Sequence, residues 1–482
     1  MSEIDRLVNA CLLPGFAGGD VPPEWVHDAL QDGLAGVTIY GTNLVADGAI
    51  GRIATSLRET APDALVAIDE EGGDVTRLDY LRGSAYPGNL ALGVVDDVDL
   101  TYQVASAIAA DLAANGVNYN LAPSVDVNSD PKNPVIGVRS FGPDPDRVAA
   151  HGVAYIKGMQ DGGIATSAKH FPGHGATVAD SHHALPVIDV DLETFRRREL
   201  PPFVAAIEAG AVSIMTSHVV FTALDGENPA TLSRSIMHGL LREELGYEGV
   251  LITDALDMEG ASGKYGIAGA AIRAFIAGAD LLLLGSVDGE EYCAAIRAGI
   301  ADAIRDGSLD VKVLEAAAGR VEKLRAWASP RPGAAIDQSS GLIAARRAIR
   351  SSGVVALPAP ATVVNVSAPA NLAVGEAHWS LREQLNEFGL ATTEIAVTED
   401  GPGVEYVLGS IGDGPAVLVV RDAYRRPWQR EWAQAFLAAR PDAVLVAIGM
   451  PDDAALTSGP SVCTFGAGRV NIQAAAEVLA GR

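Results

Sequence analysis

Asp161-Gly162-Gly163-Ile164-Ala165-Thr166-Ser167-Ala168-Lys169-His170-Phe171-Pro172-Gly173-His174-Gly175 is the stretch from which the fold is read. The small and apolar run Ile164 to Ala168, led in by Asp-Gly-Gly, predicts a buried strand. From Phe171 to Pro186 there are two glycines, two prolines and no apolar periodicity, which predicts a long loop rather than a helix. Four of the nine histidines, His170, His174, His182 and His183, fall between positions 170 and 183. Such a cluster at the end of a buried strand suits either proton transfer or metal binding.

Similar short β-rich runs recur on both sides: Cys11 to Leu13, Gly36 to Tyr40, Leu65 to Asp69, Val117 to Leu121, Val212 to Ser217, Val250 to Thr253 and Asp280 to Leu284. With Ile164 to Ala168 they make eight, separated by stretches long enough for crossover helices, such as Leu100 to Ala114 and Leu192 to Ala209. Alternation with this count predicts an α/β fold, a (β/α)8 TIM-like barrel whose active site lies at the carboxyl ends of the strands. Those ends carry Asp69-Glu70-Glu71, Arg139-Ser140-Phe141-Gly142, Lys169-His170, Met215-Thr216-Ser217-His218 and Thr253-Asp254. Any one of them alone is more simply a helix N-cap, a reading that weakens when five consecutive strands end this way.

The pattern stops near Arg325. The expected division is a catalytic barrel over 1–327, a linker over 328–350 containing Ser329-Pro330-Arg331-Pro332-Gly333, and a smaller C-terminal α/β sandwich over 351–482. The linker includes a helical stretch, Gly341 to Arg350. The sandwich is expected to contain strands Val354 to Leu357, Val363 to Val366, Ala416 to Val420 and Ala443 to Ile448, with helices at Trp379 to Phe388, Trp428 to Ala438 and Val470 to Ala480. Its most basic patch, Arg421 with Arg425-Arg426-Pro427-Trp428-Gln429-Arg430, is read first as a solvated helix start and second as an anion-binding surface.

With 61 acidic against 35 basic residues, the net charge of −26 repels nucleic acid and anionic membranes, and neither is expected as a partner. Cys11, Cys293 and Cys463 are far apart and odd in number, so neither a disulfide framework nor a cysteine zinc site is expected. The N-terminus has no secretory pattern, and no charge-free apolar stretch reaches 18 residues, so a cytoplasmic location is expected.

Asp254 follows the apolar run Gly249 to Thr253, which places its carboxylate at the barrel mouth, where it can attack an anomeric carbon. His182 has an ordinary pKa of about 6.5, near working pH. Asp180, two residues earlier, can accept from one ring nitrogen, so the two suit an acid/base dyad.

Lys169-His170-Phe171-Pro172-Gly173-His174-Gly175 followed by Asp180-Ser181-His182 and Leu185-Pro186 resembles the signature of the β-N-acetylglucosaminidase branch of glycoside hydrolase family 3. Asp69-x-Glu71-Gly72-Gly73, Ala122-Pro123-x-x-Asp126-Val127-Asn128, Arg139-Ser140-Phe141-Gly142, Met215-x-x-His218 and Thr253-Asp254-x-Leu256-x-Met258 stand in family order, over roughly residues 5 to 325. The resemblance implies Asp254 as nucleophile, His182 as acid/base and Asp180 as its partner. It further implies that Asp69, Arg77, Arg139, Lys169 and His170 hold the sugar hydroxyls and that Met215 and His218 line the pocket. It implies no cofactor and no metal, and a small-molecule glycoside as substrate. Two positions depart from the pattern: Asp74 and Thr42, where the family often has basic residues.

A histidine acid/base is neutral after it has protonated the leaving oxygen. Inorganic phosphate, which an anionic carboxylate would repel, is therefore an alternative acceptor to water. Two rivals remain: a metal-dependent hydrolase using His170, His174, His182, His183 and His218, and an inactive sugar-binding protein. The first strand ends Leu12-Leu13-Pro14-Gly15 with no metal ligand, and both Asp254 and His182 are retained.

Overall fold

The computed structural model describes residues 1–177, 185–331, 338–367 and 380–482. It has two compact units, one of Met1–Glu71, Thr101–Ile136 and Gly142–Asp337, the other of Gly72–Leu100, Gly137–Phe141 and Gln338–Arg482.

In the first unit, besides the outlying parallel pair Val187–Ile188 and Val220–Phe221, the apolar runs form the eight short barrel strands β1 Leu12–Leu13, β2 Gly36–Thr38, β3 Leu65–Ile68, β4 Tyr119–Asn120, β5 Ala165–Phe171, β6 Ser213–Thr216, β7 Val250–Ile252 and β8 Leu282–Leu283. β2 to β7 neighbour one another in chain order in a parallel sheet. β1 pairs with β8, Leu12 opposite Leu282. The ring closes through a parallel bridge from Ile252 to Leu281 and through the Thr38 N–H, which donates to the Pro14 carbonyl at 2.9 Å. This is the expected TIM-like barrel.

Leu13, Leu65, Ala67, Tyr119, Met215, Val250, Ile252 and Leu283 pack into one core. Strands inside a barrel clad by helices are buried on both faces, so they read in sequence as unbroken apolar runs rather than alternating ones. The Tyr119 hydroxyl, in that core, lies 2.7 Å from Ser213 Oγ, and Ser213 Oγ in turn donates to the Thr166 carbonyl at 2.7 Å. At the amino-terminal rim Asp280 accepts from Arg242 at 2.5 Å, from Arg320 at 3.0 Å and from the Leu251 N–H at 2.9 Å. Ion pairs at that rim serve stability and leave the opposite rim for chemistry.

The second unit holds β9 Arg350–Ser352, β10 Ala361–Val366, β11 Ala391–Val397, β12 Ala416–Val420, β13 Val444–Ala447 and β14 Ser461–Cys463, in the order β9-β14-β13-β12-β10-β11. All pairs are parallel except the edge pair β9 and β14. Along β12 the faces alternate. Val417 and Val419 pack with Leu381, Leu385 and Ile472, while Leu418 and Val420 pack with Val407, Ala433 and Phe436. Helices on both faces make the α/β sandwich expected.

Some of its elements differ from expectation. Val354 to Leu357 is not a strand; the edge is the polar, exposed Arg350–Ser352 instead. Val354 is exposed, and Leu357 donates to the Leu479 carbonyl of a helix end rather than to a strand. Pro358 and Pro360 follow at once, and prolines cannot extend a ladder. Strands β11 and β14 and the helix Val404–Ile411 were not anticipated. The helix before β9 is Ser339–Ala348, and the later ones are Leu381–Glu387, Pro427–Ala439 and Arg469–Leu479.

Candidate active site

The carboxyl end of β5 brings a cation between two acids. Lys169 is 2% exposed, and its Nζ lies 2.7 Å from Asp69 Oδ1 and 2.8 Å from Glu71 Oε1. Glu71 is equally buried, whereas Asp69 is 20% exposed. Glu71 therefore neutralises the buried ammonium, and Asp69 is the more exposed of its two acids. The turn carrying both is gripped by Asn120 at the end of β4. Its Oδ1 accepts from the Glu70 N–H at 2.9 Å and its Nδ2 donates to the Glu70 carbonyl at 2.8 Å. Tyr155 donates to that carbonyl as well, at 2.9 Å.

Next along β5, His170 Nδ1 lies 2.7 Å from Asp126 Oδ2. The fully buried Asp126 carboxylate also accepts from Ser124 Oγ at 3.0 Å and from the backbone N–H groups of His170 at 3.2 Å and His174 at 2.7 Å. Burial alone pushes this carboxyl up, yet the charge of His170 and these hydrogen bonds bring it below the usual carboxylate range. Asp126 thus fixes the turn after β5 and orients the His170 ring. A Cβ on Gly175 would lie 1.8 Å from the Val127 carbonyl oxygen, so only glycine lets the chain pass there.

His174 is 1% exposed, its ring edge-on to His170 with centroids 5.9 Å apart. Burial first, and then the charge of His170, lower its pKa to about 4, against the pull of Asp126 and Asp254. At neutral pH it is uncharged and cannot act as a standing cation.

Asp254 follows β7 and is partly buried, with Oδ1 accepting from the Ala255 N–H at 2.8 Å. The N-caps of the following helices are Met258 and Tyr265, so Asp254 is not a helix cap. Its neighbour Asp257 accepts from the Gly285 N–H at 2.7 Å. Burial raises the Asp257 carboxyl and the charge of Asp254 adds to the rise, against the bond from Gly285. His218, after β6, lies 2.8 Å from Thr231 Oγ1 through Nδ1 and 2.9 Å from the Ala255 carbonyl through Nε2. Met215 is 2% exposed and packs in the barrel core, with Ala255 against that core.

The barrel end thus carries Asp69, Lys169, His170, Met215, His218 and Asp254 on β3, β5, β6 and β7. Asp180 and His182 lie outside the described residues. Arg77 and Arg139 belong to the second unit and both are buried; the Arg139 carbonyl accepts from Asn89 Nδ2 at 2.7 Å. There too, buried Asp74 pairs with Arg421 and accepts from the Ala467 N–H at 2.6 Å, a local reason for an acid where the family often has a base. The basic patch is partly neutralised in place: Arg425 pairs with Asp422 at 2.7 Å and Arg430 donates to the Tyr424 carbonyl at 3.1 Å. Among the described residues no group of three His, Cys, Asp or Glu is arranged to hold a metal ion, and no helix is long and apolar enough to cross a membrane.

Residues 19–324 match the model of the glycosyl hydrolase family 3 N-terminal domain. The chain is 36% identical over 332 residues to beta-hexosaminidase A of Pseudoalteromonas piscicida, covering 63% of this chain and 55% of that protein. It is 36% identical over 280 residues to a beta-hexosaminidase of Xylella fastidiosa (strain M23), covering 57% of this chain and 82% of that protein. Among solved structures, the family 3 β-N-acetylglucosaminidase from Paenibacillus sp. str. FPU-7 superposes with a TM-score of 0.90 at 31% identity, over 100% of this chain and 97% of that one. The chain belongs to glycosyl hydrolase family 3, a family of glycosidases. Its match spans little more than half the length of the Pseudoalteromonas relative.

Within this family 3 barrel, sequence reasoning missed Glu71, Asn120, Asp126 and Asp257 as parts of the site. Asp126 and Glu71 stand inside quoted motifs, so a signal was present. What the motifs lack is the burial that turns each acid into a partner for a particular cation or N–H.

Proposed function

We propose that this family 3 protein is a retaining exo-β-N-acetylglucosaminidase that removes terminal β-linked N-acetylglucosamine. Asp254 attacks the anomeric carbon as the bond to the aglycone oxygen breaks. His182, oriented by Asp180, gives that oxygen a proton. The same imidazole then takes a proton from water, whose oxygen attacks the anomeric carbon and releases Asp254. Asp69, Lys169 and His170 grip hydroxyls by charge-assisted hydrogen bonds, and Met215 and His218 line the pocket. The beta-hexosaminidase names of its relatives support the sugar. The observation that carries the reading is Asp254, partly buried at a strand end, not used as a cap, and on the same barrel as the paired Lys169 and Asp69. Three buried free cysteines fit a reducing, cytoplasmic setting, where cell-wall-derived glycosides are candidate substrates.

Product analysis on an aryl β-N-acetylglucosaminide tests this. The expected first product is the β-anomer of N-acetylglucosamine, with activity abolished in Asp254→Ala and undiminished by a strong chelator; an α-anomer or an active Asp254→Ala sinks the reading. A neutral imidazole also admits phosphate, so the assay is run with and without it. N-acetylglucosamine 1-phosphate appearing only with phosphate would establish phosphorolysis as the second reaction.

A further inference from the structure

The ring of His218 bridges two parts of the barrel rim. Its Nε2 is 2.9 Å from the Ala255 carbonyl, which can only accept, so Nε2 carries a proton. Its Nδ1 is 2.8 Å from Thr231 Oγ1. Thr231 belongs to the short turn Ala230–Leu232 and is itself enclosed, with Thr216 Oγ1 at 2.7 Å and the Ser217 carbonyl at 2.9 Å. His218 and Thr231 are both buried, at 1% and 0% exposure. Ala255, whose carbonyl His218 holds, also supplies through its N–H the hydrogen bond to Asp254 Oδ1, at 2.8 Å. Its carbonyl accepts in addition from the Met258 N–H at 3.1 Å, closing a turn.

We infer that Thr231 and His218 are positioning residues for Asp254. This rests on the reading of Asp254 as nucleophile. Thr231 fixes the imidazole, the imidazole fixes the Ala255 carbonyl, and the other face of the same residue, its N–H, sets the plane of the Asp254 carboxylate. A neutral ring accepts a hydrogen bond from the Thr231 hydroxyl at Nδ1; a ring carrying both protons donates there and leaves that hydroxyl to the Ser217 carbonyl. In either state the bond to Ala255 persists. His218 therefore works through Asp254 and spends neither ring nitrogen on a sugar hydroxyl. Small displacements of a nucleophile cost rate rather than affinity.

The test uses the full chain and a fluorinated N-acetylglucosaminyl inactivator that traps the glycosyl enzyme, with mass spectrometry locating the label. Thr231→Val is expected to lower both kcat and the saturating labelling rate about 10- to 100-fold, with KM changed less than about threefold and one label per chain. Thr231→Ser is expected to recover to within about threefold of wild type, and His218→Gln, which keeps an amide donor, to exceed His218→Leu. A merely structural role would lower the labelled fraction rather than its rate. Labelling of Thr231→Val at the wild-type rate, or a rise in KM with kcat unchanged, overturns the inference. If Thr231→Val does not fold, the ranking of His218→Gln over His218→Leu decides. A label on a residue other than Asp254 in the wild type overturns the nucleophile reading instead, so the two failures are distinct.

Discussion

Asp126 holds His170 by ring and by backbone: Oδ2 lies 2.7 Å from Nδ1, and the carboxylate also accepts the His170 N–H at 3.2 Å. An amide in that place would turn an NH2 donor towards groups that themselves donate. Asp126→Asn is expected to cost about 1–3 kcal/mol, the usual penalty for leaving buried hydrogen-bonding groups unsatisfied, and to lower kcat at least 10-fold. Urea unfolding and steady-state kinetics check it; a variant of wild-type stability and rate would show that Asp126 holds nothing essential.

His174 makes stability depend on pH in a defined window. Its pKa is about 4 in the fold, mainly through burial, against about 6.5 in the unfolded chain. Between these values the unfolded chain binds a proton that the folded chain refuses. The contribution is therefore complete above pH 6.5 and is lost as pH falls towards 4, by on the order of 3 kcal/mol. Asp126, whose folded pKa is depressed, adds a loss at lower pH. In His174→Gln the decline between pH 6.5 and 4 should flatten. An unchanged slope in denaturant titrations at several pH values would contradict the assignment.

Lys169 and Glu71 are buried together, so their losses should not add. Lys169→Met leaves two acids without their cation and is expected to destabilise by about 3–5 kcal/mol. Lys169→Met combined with Glu71→Gln should recover at least about 1 kcal/mol of that. A double-mutant cycle by thermal or urea unfolding gives the coupling; additive losses would mean the pair does not interact as its 2.8 Å separation indicates.

Asp453, in the second unit, is fully buried and accepts from the Tyr424 N–H at 2.7 Å. Burial raises its pKa to about 7, the bond from Tyr424 opposing and the charge of Asp422 adding. The fold thus favours the protonated acid, and stability present below about pH 4 is lost as pH rises to 7. Asp453→Asn keeps an acceptor for Tyr424 and removes the charge. Its Tm should exceed that of wild type at pH 8 and match it only below about pH 4; a lower Tm at pH 8 would refute the sign.

The barrel was legible because each strand is buried on both faces and so reads as an apolar run, and because polar residues recur where those runs end. In the second unit the legible strands were the Val-rich central ones. The edge strand Arg350–Ser352 escaped notice because an exposed edge needs no apolar residues, while Val354 to Leu357 looked like a strand and is not one.

The linear order of residues determined by itself the barrel, the α/β sandwich of the second unit, the family resemblance and the acids and histidines worth watching, since periodicity and residue type are local properties. Only the tertiary structure decided that Glu71 serves Lys169, that Asp126 serves His170 and that both nitrogens of His218 are bound within the protein. Those pairings join residues 13 to 98 positions apart, and what sets them is distance and burial in three dimensions, where an unpaired charge or donor is costly.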